Sequence, residues 1–450
     1  MHFCHTRIAV WRACLLVGLA VCAPAYLTAQ TTAPMPKMLT QAAGPLSLAD
    51  LEQIALQHNP TLVQAAARVD VSRGKALQAG LYPNPTIGYA GEQIGSQRSA
   101  GEFQGGFIQQ EIVTAGKLRL SRAKYKQEAY QAEIQAMAQQ LRVVNGIRIA
   151  YYEILAVQSS IENHRTLLKN ADNAIKTTEE LVNLGQANQP DLLQAQIEAQ
   201  RSRVAMKTAE NRYKRAWEHL VTMIGTPEMA PTPLAGKLEL VGPPLQWEKS
   251  LAKLLQESPE MQFVQAEVVR DQISLKREQV EAIPNITVRA GLGYNYIPGE
   301  KSTVGNVQVG IRLPIFDRNQ GTKRQAEAEL ARARAEVTRT ELVLRRRLAD
   351  TFTQYQNAYQ SVDDYQKNTL PKARQAYELY QEYFKKRRAT WPQVLVAERN
   401  YFGYTEEYIN ALIDLRRAEV EINGMLLSNG LDQPPAPTPG GHIEATPRPR

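Results

Sequence analysis

The feature that most constrains this chain is an internal duplication. Asn59-Pro60 aligns with Ser258-Pro259 at an offset of 199, and Pro85 aligns with Pro284 without a gap. Further on, Gln189 aligns with Trp391 at an offset of 202, so three inserted residues separate the two sets of anchors. A repeat on this scale predicts one supersecondary plan used twice. The repeats cover 46–225 and 247–427, and a Pro-rich segment, 226–246, links them.

Each repeat predicts the same order of elements: a helix, two strands, a very long helix, a tight turn and a second long helix. The helices that open the repeats are expected over 47–81 and 247–282. The strands are expected over 86–97, 103–115, 285–297 and 304–316. The long helices are expected over 117–185, 190–224, 321–387 and 391–427.

The strands of the second repeat have the clearest pattern. Apolar residues such as Val288 and Leu292 alternate with polar or small ones such as Arg289 and Gly293. A period of two places all the apolar side chains on one face. Strands of about ten residues, apolar on one face and polar on the other, are typical of membrane barrels. A water-soluble hairpin packed on the helices remains the alternative.

The long helices show a heptad pattern. Apolar residues recur every seven positions from Ile147 to Val182, whereas the interleaved position becomes polar, as at Arg165. Such a pattern predicts a left-handed coiled coil. A seam this polar suits a helix that contacts two neighbours and water. Helix 117–185 would be about 100 Å long at 1.5 Å per residue, and Pro371 should loosen its counterpart locally.

The two ends of the chain are predicted to lie outside the repeats. Residues 1–29 have the charged, apolar and small-residue regions of a secretory signal. All three cysteines lie within it, and Cys22 follows an imperfect lipid-attachment motif, so lipidation is an alternative fate. Residues 30–45 are predicted to be a linker, and 428–450 a disordered Pro-rich tail.

Four membrane strands are too few to close a barrel, since single-chain barrels begin at eight. An open edge in lipid would leave backbone groups without hydrogen-bond partners, at several kcal/mol each. Several copies must therefore share one barrel. The helices below it should form a shared ring, with their polar faces lining a lumen.

The chain resembles the TolC family of outer-membrane factors over about 46–427. The resemblance is carried by the doubled plan, by Asn59-Pro60, by Pro83-Asn84-Pro85 before the first strand, by Gln109-Gln110-Glu111 and Gly116-Lys117 after the hairpin, and by Val394-Leu395. It implies a mainly α fold with a membrane β-barrel: a homotrimer with a twelve-stranded barrel in outer-membrane lipid on a twelve-helix periplasmic tunnel. It also implies a periplasmic adaptor and an inner-membrane pump. Two of these motifs resemble most the branch that serves resistance-nodulation-division pumps for heavy-metal cations.

Candidate functional residues lie at two levels of such a tube. In the family, acidic residues of the last long helix narrow the periplasmic tip, but the matching positions here are Gln393 and Val396, and a basic run lies nearby. This departure puts gating by acidic rings in doubt. The tip candidates are Gly185, Asp191, Gln194, Lys385, Lys386, Arg387, Arg388, Gln393 and Val396. The candidates for the barrel lumen are Glu92, Glu111, Arg289 and Arg312.

Other functions find little support in the sequence. The net charge of +8 is spread along the chain, and no nucleic-acid recognition motif accompanies it. No catalytic or phosphate-binding motif and no paired metal-ligand spacing occurs, so we expect no enzyme activity, no cofactor and no metal site. The leading hypothesis is a passive outer-membrane efflux duct in a Gram-negative bacterium. A periplasmic coiled-coil scaffold or adaptor, or a duct for type I protein secretion, remains open.

Overall fold

The computed structural model describes residues 44–95, 101–239, 243–297, 299 and 301–432. The described residues from Pro45 onward form one compact unit, which holds every helix and strand described. The predicted signal segment, Cys22 and most of the predicted linker and tail lie outside the described residues.

The first repeat contains four helices and two strands. They are α1 (Leu48–His58), α2 (Pro60–Gln78), β1 (Thr86–Glu92), β2 (Phe103–Ile112), α3 (Lys117–Asn183) and α4 (Gln189–Ile224).

The second repeat follows the same order. Its elements are α5 (Trp247–Glu257), α6 (Pro259–Val280), β3 (Ile286–Asn295), β4 (Ser302–Ile311), α7 (Gln320–Asp364), a π-helical turn (Tyr365–Thr369), α8 (Leu370–Lys385) and α9 (Trp391–Asn423).

The opening helix of each repeat, expected to be continuous, is broken in two. The break falls at Asn59 in the first repeat and at Ser258 in the second, and the side chain of each caps the next helix. Proline at the first position of that helix has no N–H to donate to the preceding turn, and it disfavours helical geometry in the residue before it. The same local chemistry therefore bends the chain at both repeats.

The four strands form one antiparallel sheet in the order β1-β2-β3-β4. The central pair joins the two repeats, with Ile112 opposite Ile286 and Gln104 opposite Tyr294. In the described residues β1 and β4 each pair on one side only, so the sheet has two open edges. Every strand is shorter than expected. β1, for example, ends at Glu92 because Gln93 adopts a positive φ of 53° and begins a turn.

The long helices differ in their continuity. α3 runs for 67 residues without a break, about 100 Å. Its counterpart is interrupted by the π-helical turn Tyr365–Thr369, immediately before Leu370 and Pro371. Proline removes one backbone hydrogen bond of the preceding turn, and a wider turn accommodates this loss. The expected loosening at Pro371 is thus confirmed.

The main apolar core lies partway along the long helices, between the sheet and the tips. It is built from α1, the middle of α3, the end of α4, and parts of α7 and α9. Trp217, Leu220, Ile147, Leu348 and Leu415 are among its fully buried members. The segment that links the repeats also contributes, since Leu234 is buried in this core and pairs with Leu46.

The start of the chain's last segment is packed rather than free. Gly430 is buried, and its carbonyl accepts hydrogen bonds from Gln139 Nε2 at 2.9 Å and from Thr61 Oγ1 at 3.1 Å. A Cβ at Gly430 would lie 2.6 Å from the Cα of Val143, so glycine permits this close approach. Gly430, which was predicted to belong to the disordered tail, therefore packs against the first repeat instead.

Candidate functional site

The register of the sheet separates a polar face from an apolar face. Arg289 lies between Gln109 and Gln308, so charged and amide side chains share one face. The opposite face carries large apolar side chains that are 44–78% exposed in the single chain; among them are Ile87, Tyr89, Ile112, Leu292, Val307 and Val309. Such an exposed apolar band suits lipid, and a polar opposite face suits a water-filled lumen. No helix among the described residues is long and apolar enough to cross a membrane.

Arg289 packs against an aromatic ring on the polar face. Its guanidinium carbon lies 3.8 Å from the centre of the Phe107 ring, which is a cation–π distance. Phe107 was not among the residues expected to line the lumen. The alternation of the sequence places Phe107 in phase with Gln109, but only the register between the repeats brings it beside Arg289.

The other three barrel candidates lie nearer the ends of the strands. Glu111 accepts a hydrogen bond from Asn285 Nδ2 at 2.8 Å. Glu92 is exposed at the end of β1, and Arg312 lies one residue beyond β4. The structure therefore spreads the four candidates along the sheet.

A buried polar network joins the sheet to the long helices, and sequence reasoning missed it. Lys117, the first residue of α3, is 3% exposed and donates to Asn285 Oδ1 at 3.1 Å. It also lies 3.9 Å from Glu281, which pairs with the buried Arg277 of α6. Burial lowers the pKa of Lys117, against the opposing effect of Glu281. The Gly116-Lys117 motif, which helps to carry the family resemblance, was the one feature of the sequence that pointed to Lys117.

The far end of α3 turns tightly into α4. Gly185 has a positive φ of 69°, and the next amide, of Gln186, donates to Leu181 O at 2.8 Å. This closes the helix as a Schellman motif. Asp191 accepts from the Asn188 amide at 3.2 Å, while the Asn188 side chain accepts from the Asp191 amide at 3.1 Å. Asp191 thus caps its own helix, and the exposed Gln194 donates to Glu198.

The corresponding turn between α8 and α9 carries the basic run. Lys385, Lys386, Arg387 and Arg388 are all exposed, and Lys386 pairs with Glu382. At the start of α9, Gln393 accepts from the Thr390 amide at 2.9 Å, and Val396 is 46% exposed. Because both turns lie where the long helices reverse, all tip candidates lie at the end of the helices that is remote from the sheet.

A second group missed from the sequence lies above the tips, where α3, α8 and α9 meet. Glu398 of α9 is only 6% exposed and accepts a hydrogen bond from Tyr377 Oη at 3.0 Å. Burial raises the pKa of this carboxyl, although hydrogen bonds from Asn170 and Tyr377 act in the opposite direction. Glu398 falls in a polar stretch of sequence, so nothing there marked it as buried.

The described residues contain no group of three His, Cys, Asp or Glu side chains that could hold a metal ion. The arrangement is a sheet with a polar face at one end of long helices and two polar turns at the other. This is the geometry of one segment of a tube.

Comparison with known proteins identifies the class. The model of the outer membrane efflux protein family matches residues 51–226 and 251–426, one match for each repeat. The chain belongs to this family. It is an outer-membrane efflux channel, a homotrimer that works with a periplasmic adaptor protein and an inner-membrane pump of the resistance-nodulation-division class.

Two curated relatives align over nearly the whole chain. The cobalt-zinc-cadmium resistance protein CzcC of Cupriavidus metallidurans is 25% identical over 419 residues, which cover 92% of this chain and 98% of that protein. The pyoverdine export outer membrane protein OpmQ of Pseudomonas aeruginosa is 24% identical, with 91% and 93% covered. The crystal structure of the outer membrane protein VceC from Vibrio cholerae has the same fold: the TM-score is 0.68 at 19% identity, with 85% of this chain and 96% of that chain covered.

Proposed function

We propose that this channel carries heavy-metal cations delivered by its inner-membrane pump. The observation that carries this proposal is the similarity to a cobalt-zinc-cadmium resistance protein along almost the full length of both chains. The Gly116-Lys117 motif, which resembles the metal-exporting branch, supports it. The protein itself catalyses no reaction in this proposal, and the pump supplies the energy.

The geometry supports passage through a lumen that the polar face of the sheet lines. The apolar face is exposed in the single chain, and neither edge strand has a second partner in the part of the chain that the structure describes, so three copies can close one barrel around their polar faces. A periplasmic scaffold would gain nothing from exposed side chains such as Val307 and Leu292. The sheet therefore favours the duct over the scaffold.

The test is a deletion strain scored for growth in cobalt, zinc and cadmium, and in a panel of drugs. We expect the inhibitory metal concentrations to fall severalfold and the drug concentrations to stay unchanged. Sensitivity to drugs alone, or loss of siderophore or protein secretion without metal sensitivity, would contradict the metal proposal but leave the channel assignment intact.

Two glycine-to-valine variants, tested for complementation of the deletion strain, serve as a disruptive variant and its matched control. A Cβ at Gly293 would lie 2.6 Å from the backbone oxygen of Gln104, so Gly293→Val should break the junction between the repeats and fail to restore resistance. Nothing lies within 4 Å of a Cβ at Gly310, so Gly310→Val should restore it. Equal complementation by both variants would show that export does not need the barrel.

We also propose that the basic run Lys385–Arg388 contacts the adaptor protein. Four exposed cations at the turn offer a surface for acidic side chains, and such contacts weaken with salt. Replacing all four with Gln should weaken co-purification with the adaptor most at low salt while the trimer stays intact. Undiminished co-purification would leave the run as a solvated helix end.

A further inference from the structure

Arg289 lies in the middle of the sheet's polar face. Arg289 shares its row with the amides Gln109 and Gln308. The next row towards the hairpin turns consists of Gly88, Phe107, Gly291 and Asn306.

The two glycines of that row make room for side chains that lie across them. A Cβ at Gly88 would meet the Phe107 ring at 2.7 Å, and a Cβ at Gly291 would meet Asn306 Oδ1 at 2.4 Å. The Phe107 ring therefore lies across β1, and the Asn306 amide lies across β3. Glycine inside a strand often marks such a close approach.

Arg289 could lean towards either diagonal neighbour on β2, Phe107 or Glu111. It leans onto Phe107, with 3.8 Å between the guanidinium carbon and the ring centre. Glu111 instead accepts from Asn285, whose Oδ1 binds the Lys117 ammonium. The nearby carboxylate is thus engaged in the network below the sheet, and the guanidinium is held away from it.

No ion pair joins Arg289 to a carboxylate of the described residues, and its guanidinium packs on the Phe107 ring. The Arg289 Nε also has no hydrogen-bond partner in the described part of the chain. An aromatic face attracts the cation but does not neutralise it.

We propose that Arg289, positioned by Phe107, forms a ring of three guanidinium groups that makes the barrel favour anions over cations. The inference rests on the channel assignment and on the polar face lining the lumen. Three copies of a four-stranded sheet give a barrel with a backbone radius of roughly 12 Å. Each Arg289 guanidinium lies on the Phe107 ring at the inner wall, and the radius is comparable with the Debye length of about 8–10 Å, so the three positive potentials extend into the lumen.

The ring biases passage without closing it. Salt screens the charges beyond roughly 8 Å at physiological ionic strength, so cations driven by the pump still pass. The expected preference for small anions at this level concerns ions that diffuse freely through the barrel, not the cations that the pump delivers. The ring is independent of the tip, where the sequence departs from the family's acidic pattern.

The test places a single thiol beside the ring. The chain has Cys only at positions 4, 14 and 22, all within the predicted signal segment. Gln308 is exposed and lies opposite Arg289 in the register of β3 and β4. Gln308→Cys is treated on intact cells with an anionic and a cationic methanethiosulfonate reagent, with the parent chain as the thiol-free control. The barrel is reached from outside, so a closed tip does not interfere.

We expect the anionic reagent to react faster at Gln308→Cys. Adding Arg289→Gln should lower the anionic-to-cationic rate ratio about five- to tenfold. Adding Arg289→Lys should largely keep the ratio. Adding Phe107→Leu keeps the Arg289 charge but removes the aromatic side chain that positions it, so it should lower the ratio partly. Adding Arg312→Gln, the neighbouring arginine beyond β4, should change it less than about twofold.

An unchanged ratio in the Arg289→Gln background would overturn the proposal while leaving the channel intact. A second cysteine position distinguishes failure of the Arg289 proposal from failure of the assumption that the polar face lines the lumen. Val309→Cys lies on the apolar face and should react with neither charged reagent. Two results would show that the polar face does not line an open lumen: Val309→Cys reacts and Gln308→Cys does not, or neither reacts although the trimers stay intact on electrophoresis without boiling. Either result would overturn both the Arg289 ring and the proposed passage along the polar face.

Discussion

Two interhelical turns, one between α3 and α4 and one between α8 and α9, have the same backbone conformation but differ in charge. Gly185 and Arg387 are equivalent at the repeat offset of 202, and both have left-handed φ, 69° and 55°. The amides that follow them, of Gln186 and Arg388, donate to carbonyls five residues back at 2.8 and 2.7 Å. The same pair of Schellman hydrogen bonds therefore closes both helices.

The comparison shows which part of the turn can diverge. Glycine adopts left-handed φ freely, whereas an arginine there carries a steric cost. The second turn accepts that cost and presents four consecutive cations, Lys385–Arg388, while the first presents none. Backbone hydrogen bonds thus preserve the turn, and side-chain chemistry is free to distinguish the two tips for different partners.

The largest effect on the local stability of the turns should come from substituting the residue at the left-handed position of each turn. Gly185→Val should lower the local stability of the first turn by roughly 1–2 kcal/mol, because a β-branched residue tolerates left-handed φ poorly. Arg387→Gly should raise that of the second by up to about 1 kcal/mol. Hydrogen exchange of the Gln186 and Arg388 amides in the intact trimer measures both.

The opposite signs are the essential outcome. Gly74→Val and Gly403→Val provide matched helical controls, since a Cβ at either meets nothing within 4 Å and both are remote from the turns. They should leave exchange at the two turns unchanged. If Arg387→Gly also destabilised its turn, the arginine side chain would have to hold the turn by a contact of its own, and the strain argument would be wrong.

The second hairpin also differs in its body, because it contains a π-helical turn and a buried carboxyl. Glu398 packs against Tyr377 and Asn170, and burial raises its pKa. The folded protein therefore holds a proton at pH values where the unfolded chain has lost it. Stability falls as pH rises from the ordinary glutamate value through the raised folded value.

Glu398→Gln should remove this pH dependence and keep one hydrogen-bond acceptor. We expect it to stabilise the second hairpin above the raised pKa by on the order of 1 kcal/mol, and to have little effect below pH 4. Exchange of α9 amides from pH 4 to 8 measures the difference. Glu198→Gln, on α4, is the control because Glu198 is more exposed than Glu398 and pairs with Arg201. A wild-type hairpin that gains stability with rising pH would contradict the assignment.

The sequence predicted what depends on local pattern. The duplication, the element order, the alternating strands and the loosening at Pro371 all follow from residues close together in the chain. The Arg289–Phe107 contact and the Lys117–Asn285 hydrogen bond join residues more than 160 positions apart, so they require the register between the repeats. The break at Asn59 was missed because the apolar pattern continues across it, although Asn-Pro is a local signal for a new helix start.

The smallest effect should come from the caps that follow the two turns. Asp191 and Gln393 are equivalent, and each accepts the amide hydrogen of its N-cap residue, at 3.2 and 2.9 Å. Asp191→Ala should destabilise the first turn of α4 by about 0.5–1 kcal/mol, because a carboxylate also interacts with the positive helix end. Gln393→Ala should cost α9 less, and Asp191→Asn should fall between them. Exchange of the first-turn amides at low and high salt separates the two contributions, since only the charge effect is screened. An equal, salt-independent loss in both helices would mean that Asp191 acts only as a hydrogen-bond acceptor, and the two tips would then differ only in their basic run.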